Sequence, residues 1–204
     1  MFFKKKINLD EILIAIGKNS ENREVSIPYI DDLELYFVIN KNNSYELLNK
    51  KDFDSVGMSL DNLKELAIKN TKQRIFKIYQ QLPVRKNEND DIIIPFDADQ
   101  IIERGMYNFW TSLVLIDDFW DKNSDLCIEK NFNNFLIAMP YRTFLIVGNS
   151  ENEKSIIEMN RLIEEYQNED KNELLSSGDY EAAKRQISNQ IYLMKDGILQ
   201  VYNK

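Results

Sequence analysis

Phe135-Leu136-Ile137-Ala138-Met139 and Thr143-Phe144-Leu145-Ile146-Val147, separated only by Pro140-Tyr141-Arg142, decide the fold class of this chain. Both runs are short and continuously apolar, so each reads as a buried strand. So brief a separation leaves no room for a crossover, and the pair is expected to form an antiparallel hairpin. Further on, Lys195-Asp196-Gly197 stands between Gln190-Ile191-Tyr192-Leu193-Met194 and Ile198-Leu199-Gln200-Val201-Tyr202, and Asp-Gly between two apolar runs is a strong hairpin signal. Between the hairpins, residues 151–168 carry Ile156, Met159, Leu162, Ile163 and Tyr166 at helical spacing, with glutamates on the opposite side.

Upstream, the pattern is less uniform. Residues 8–17 read as a short amphipathic helix, with Asn8 as its cap, Asp10 and Glu11 in the first turn, and Gly17 as its stop. Residues 25–29 and 34–39 read as strands, and Lys41-Asn42-Asn43 supplies the turn into residues 44–48. Ser59 begins a helix with Leu60, Leu63, Leu66 and Ala67 on one face; residues 74–82 fit either its continuation or a strand. Residues 91–95 and 111–116 read as strands, and residues 180–186 as a further helical turn or two. Hairpins with interspersed helices imply an α+β fold, an antiparallel or mixed sheet with packed helices. The polar stretch 83–91 divides an N-terminal lobe, residues 1–83, from a C-terminal lobe, residues 84–204, within one compact folding unit.

Composition removes most catalytic kits. The 204 residues contain no histidine, one cysteine (Cys127) and six isolated glycines. No Ser-His-Asp or Cys-His pair can form, and neither a Walker loop nor a dinucleotide fingerprint can be written, so no cofactor is expected. A net charge of −8 opposes nucleic acid and anionic membranes and favours a basic protein partner or simple solubility. The opening Phe2-Phe3-Lys4-Lys5-Lys6 does not continue as a secretory signal, and a lone cysteine suits a reducing cytoplasm.

Candidate site residues cluster between Trp110 and Asp121, where Trp110, Asp117, Asp118 and Trp120 put aromatics beside acids at the end of a strand. That combination suits a cationic or carbohydrate-like ligand. The plainer reading, core aromatics with acids capping a helix turn, is the favoured one, and a metal on Asp117, Asp118 and Asp121 is disfavoured because adjacent acids in a strand point to opposite faces. Tyr141 and Arg142 would be presented by a tight turn, as interface residues or with Arg142 simply paired to an acid. Cys127, between Leu126 and Ile128, reads as a small buried hydrophobe.

Residues Leu113 to Trp120, then Phe135 to Leu145 with its Pro-x-Arg connection, the acidic helix and the closing segment 191–202 resemble the YtpQ-like family of uncharacterised bacterial proteins. The resemblance covers roughly residues 70–202; it implies a bacterial cytosolic protein and supplies no activity. The resulting expectation is a non-enzymatic protein-binding module, of which an immunity or antitoxin role against a basic toxin is one form. The alternative is a carboxylate- or metal-dependent enzyme, such as a hydrolase, with its pocket near Trp110–Asp121.

Overall fold

The computed structural model describes residues 7–20, 22–41, 44–79, 85–86, 92–94, 110–141, 144–177 and 186–203. It is an α+β fold with two antiparallel sheets. The first sheet has four strands, β1 (Ile12–Lys18), β2 (Ser26–Pro28), β3 (Leu33–Lys41) and β4 (Ser44–Leu47), with β3 paired to the other three. Two helices follow, α1 (Lys50–Val56) and α2 (Leu60–Tyr79). The second sheet is assembled from β5 (Arg85–Lys86), β6 (Ile92–Ile94), β7 (Phe135–Tyr141), β8 (Phe144–Asn149), β9 (Ile191–Lys195) and β10 (Ile198–Val201), in the order β10-β9-β7-β8-β6-β5. Helix α3 (Glu153–Ser177) connects β8 to the return of the chain.

The central strands of the second sheet, β7 and β8, are covered on both faces, which explains why they are continuously apolar rather than alternating. Along β7, Phe135, Ile137 and Met139 point into a core shared with the first sheet and α2. Leu136 and Ala138 point the other way, to Met159, Leu162 and Ile163 of α3. Strands β8 and β9 alternate in the same manner: Val147, Tyr192 and Met194 join the first core, Ile146 and Ile191 the second. Each buried Val, Leu, Ile, Phe or Met among them contributes roughly 1.5–3 kcal/mol through its burial. The first core draws on both halves of the chain, from Ile12 and Phe37 to Tyr192 and Met194.

Two elements differ from the sequence reading. Residues 8–17 do not form a helix: Asn8 caps a single 3-10 turn, Leu9–Glu11, and the chain then enters β1. Ile12 to Ile16 are all buried in the first core while their backbone pairs with β3, whereas a helix would have turned part of this run to water. Residues 111–116 form not a strand but most of a 3-10 turn, Trp110–Leu115. The turn and α2 close the outer edge of β1 with side chains. Thr71 Oγ1 accepts from the Ile14 amide (3.0 Å), Ser112 Oγ donates to the Ile14 carbonyl (2.9 Å), and Asn70 Nδ2 donates to the Ile12 carbonyl (2.9 Å). Three polar side chains thus do for an edge strand what a further strand would otherwise do.

Helix α1 and the two-residue strand β5 have no counterpart in the sequence reading, and most of the other elements follow it. Residues 74–79 continue α2, and α3 runs past residue 168 to Ser177. The β9–β10 turn holds Asp196 and Gly197 at φ of 51° and 74°, the left-handed values that a two-residue hairpin demands. The β7–β8 hairpin differs in detail. Pro140 and Tyr141 belong to β7, with a register shift between Ala138 and Tyr141 where proline cannot donate to the ladder. Tyr141 is consequently half-buried against the second core and bridges to Gln186, rather than standing in a solvent-facing turn. Residues 87–91, 95–109 and 180–185, which include most of the suggested lobe boundary and the suggested helical turn after α3, lie outside the described residues, as does Arg142. No helix among the described residues is long and apolar enough to cross a membrane.

Candidate functional site

The site begins with how the chain turns after the 3-10 segment. Ile116 N–H bonds the Leu113 carbonyl (3.0 Å), Phe119 N–H the Ile116 carbonyl (3.1 Å) and Trp120 N–H the Asp117 carbonyl (2.9 Å). These tight turns, Trp110–Leu115 and Asp117–Phe119, send consecutive side chains in different directions. Phe119 is fully buried, and Trp120 is 7% exposed, its indole Nε1 donating to the Leu113 carbonyl at 3.0 Å and its ring meeting Phe135 edge-on at 5.3 Å. Asp118 turns to Lys72 of α2, whose hydrogen bond and charge hold its carboxyl below the usual range. Asp117 is exposed.

Asp117 and Trp120 thereby reach a cleft of about 630 Å³. Its apolar part is Trp120, Phe135 of β7 and Met194 of β9; its acids are Asp117, Asp121 and Asp196, the last from the β9–β10 turn. Lys122 is the cation at this cleft, and its Nζ is engaged at 2.7 Å by Asn133 Oδ1, while Asn133 Nδ2 in turn donates to Glu151 (2.6 Å). Asp121 Oδ1 accepts from the amide and side chain of Asn123 (2.9 and 3.1 Å). Asp117 and Asp196 have no hydrogen-bond or ion-pair partner for their carboxylates among the described residues.

The surrounding field is also negative. Burial, reinforced by the charge of Asp117, pushes the Tyr29 phenol up to about 12. Burial likewise pushes Tyr192 up to about 12, against a lowering hydrogen bond from Ser188 and with Asp31 and Asp32 adding to the rise. Both phenols stay neutral at physiological pH. Among the described residues, no group of three cysteine or carboxylate side chains gathers as a metal-binding set.

The wall of the cleft is the loop of residues 121–134, closed by the Ile128 amide on the Phe119 carbonyl (3.0 Å). Within it, Glu129 is 8% exposed and receives Lys86 Nζ and the Asn131 amide. Burial works to raise its pKa, yet these hydrogen bonds and the Lys86 charge bring it below the ordinary glutamate value. A depressed folded pKa stabilises the fold above the unfolded glutamate's pKa of about 4.3, and the contribution is lost as pH falls through the folded value. Glu129→Gln is therefore expected to flatten the loss of melting temperature below about pH 4.5 in thermal scans; an unchanged acid limb would remove Glu129 from that role. Cys127, in the same loop, is half-buried, and burial raises its thiol pKa.

Of the residues singled out in the sequence, Asp117 and Trp120 meet at the cleft, whereas Asp118 and Tyr141 do not line it. Trp110 opens the 3-10 turn, and its side chain lies outside the described residues. Asp196, Phe135 and Met194 were legible only as strand and turn residues, because the order β10-β9-β7 brings them together from three distant segments. Compared with family models, curated proteins and solved structures, the chain matches none.

Proposed function

We propose that the protein is a binding module that receives a cationic segment of a partner protein in this cleft. The observation that carries the reading is the pair of unpartnered carboxylates, Asp117 and Asp196, beside the apolar surface of Trp120, Phe135 and Met194. A lysine or arginine side chain matches both parts, its stem lying on the apolar surface and its head meeting the acids. The net charge of −8 would speed encounter with a basic partner, and an immunity or antitoxin role is one biological form of such binding.

The same cleft would serve the alternative, a carboxylate-dependent hydrolase, but the ion pair between Asp118 and Lys72 draws one of the two adjacent acids away and weighs for binding. Kinship with the YtpQ-like family is likewise a proposal, resting on residues 113–120 and 135–145, and adds no activity to this reading.

The test is Asp117→Asn combined with Asp196→Asn, titrated with a short lysine- and arginine-rich peptide by calorimetry. Asparagine tolerates the left-handed turn position of Asp196, so the melting temperature should hold. Affinity should fall about tenfold, since two exposed ion pairs are each worth up to about 1 kcal/mol. Equal affinity in the variant and the parent protein would take the cleft out of cation recognition.

A further inference from the structure

We infer that the outer edge of β10 is a docking rail on which an extended, basic segment of a partner protein adds as a further strand of the second sheet. The choice of a basic occupant rests on the cleft reading above; the edge itself does not.

The edge follows from the hydrogen-bond register. Tyr202 N–H donates to the Ile191 carbonyl at 2.9 Å, and β10 pairs with β9 as Ile198↔Lys195, Leu199↔Met194, Gln200↔Leu193 and Val201↔Tyr192. In an antiparallel ladder alternate residues bond the same neighbour, so Ile198, Gln200 and Tyr202 direct their backbone groups to β9. The amides and carbonyls of Leu199 and Val201 point to the opposite side. Among the described residues nothing pairs with them, and β10 ends the strand order.

The other edges carry features that discourage strand addition. Polar side chains of α2 and the 3-10 turn close β1, β2 bears Pro28, β4 bears Glu46 in an ion pair with Lys41, and β5 consists of Arg85 and Lys86. Strand β10 reads Ile-Leu-Gln-Val, with no charge and no proline, and Ile198 is 67% exposed. An apolar edge left unpaired among the described residues invites pairing with another chain.

Charge selects the occupant. The β9–β10 turn that starts the edge is also the rim of the cleft, through Asp196 and Gly197, and Met194, the cross-strand neighbour of Leu199, lies on its floor. A segment laid along β10 therefore ends beside unpartnered carboxylates, where lysine or arginine is accommodated and acids are repelled. A second copy of this chain would bring its own net charge of −8 to the contact.

Amide hydrogen exchange measured by NMR on the full chain tests this, using a short peptide that alternates lysine with valine and a control with glutamate in place of lysine. In the free protein the Leu199 and Val201 amides should exchange rapidly, and saturation with the lysine peptide should slow both by about tenfold or more, with the glutamate peptide inert. Fast exchange at both amides despite shifts at the Trp120 indole would overturn the rail while leaving the cleft reading intact. Loss of indole shifts together with unchanged exchange would remove both. Amides already protected in the free monomer would mean that the edge is covered; protection that rises with protein concentration alone would assign it to a second copy; equal protection by the glutamate peptide would refute the basic occupant.

Discussion

Trp120→Ala is expected to lower the free energy of unfolding by about 3–5 kcal/mol, in chemical denaturation followed by circular dichroism. The size follows from what the ring does. It is 7% exposed within the first core, meets Phe135 at 5.3 Å in an edge-to-face contact, and spends its indole N–H on the Leu113 carbonyl. Truncation removes the apolar contacts, opens a void in the first core, and takes from the Leu113 carbonyl one of its two donors, leaving only the Ile116 amide. Trp120→Phe keeps most of the packing and loses the hydrogen bond, so it should cost about 1–2 kcal/mol. A near-neutral alanine variant would reassign Trp120 from the core to an exposed recognition surface. The cleft sharpens the experiment: because Trp120 also forms part of its floor, Trp120→Ala should weaken peptide binding only along with the fold, whereas the Asp117 and Asp196 substitutions should weaken binding alone.

That contrast also marks how far the sequence could be read. The β9–β10 hairpin was legible because Asp196-Gly197 supplies the left-handed turn locally, and α2 because its apolar residues recur on one face. The segment Ile12 to Ile16 was not, because five consecutive apolar residues satisfy a helical template as readily as a strand buried on both faces, and only the pairing with β3 decides between them. Residues 111–116 misled for a related reason. Their apolar run is that of a buried strand, but Ser112 within it serves the edge of β1, bonding the Ile14 carbonyl across a separation of 98 residues, a contact no local pattern announces. The candidate site was half-visible. Trp120 and Asp117 are neighbours in sequence, whereas Phe135, Met194 and Asp196 join them through sheet order alone.

Glu34→Ala is expected to cost about 3–5 kcal/mol, because it would leave the Arg23 guanidinium buried without its counter-charge. The side chains of Arg23 and Glu34 are 8% and 5% exposed. The Arg23 guanidinium lies 3.9 Å above the Tyr36 ring and donates to both the Glu34 carboxylate and the Lys18 carbonyl, while Glu34 also accepts from the Ser20 amide at 3.2 Å. Gly17, opposite Glu34 in the β1–β3 ladder, makes room for this arrangement: a Cβ there would come within 2.8 Å of the guanidinium and 3.2 Å of the Tyr36 ring. The pair therefore pins the loop after β1 to the first residues of β3, and its members depend on each other. Removing Arg23 as well, in an Arg23→Met, Glu34→Leu double variant, should restore part of the lost stability, since no uncompensated charge then remains and the apolar replacements face the Tyr36 ring. If Glu34→Ala instead costs less than about 1 kcal/mol, the guanidinium escapes to water and the pair behaves as a surface contact. If the double variant is as unstable as the single, the loss arises from packing around Gly17 and Tyr36, not from the stranded charge.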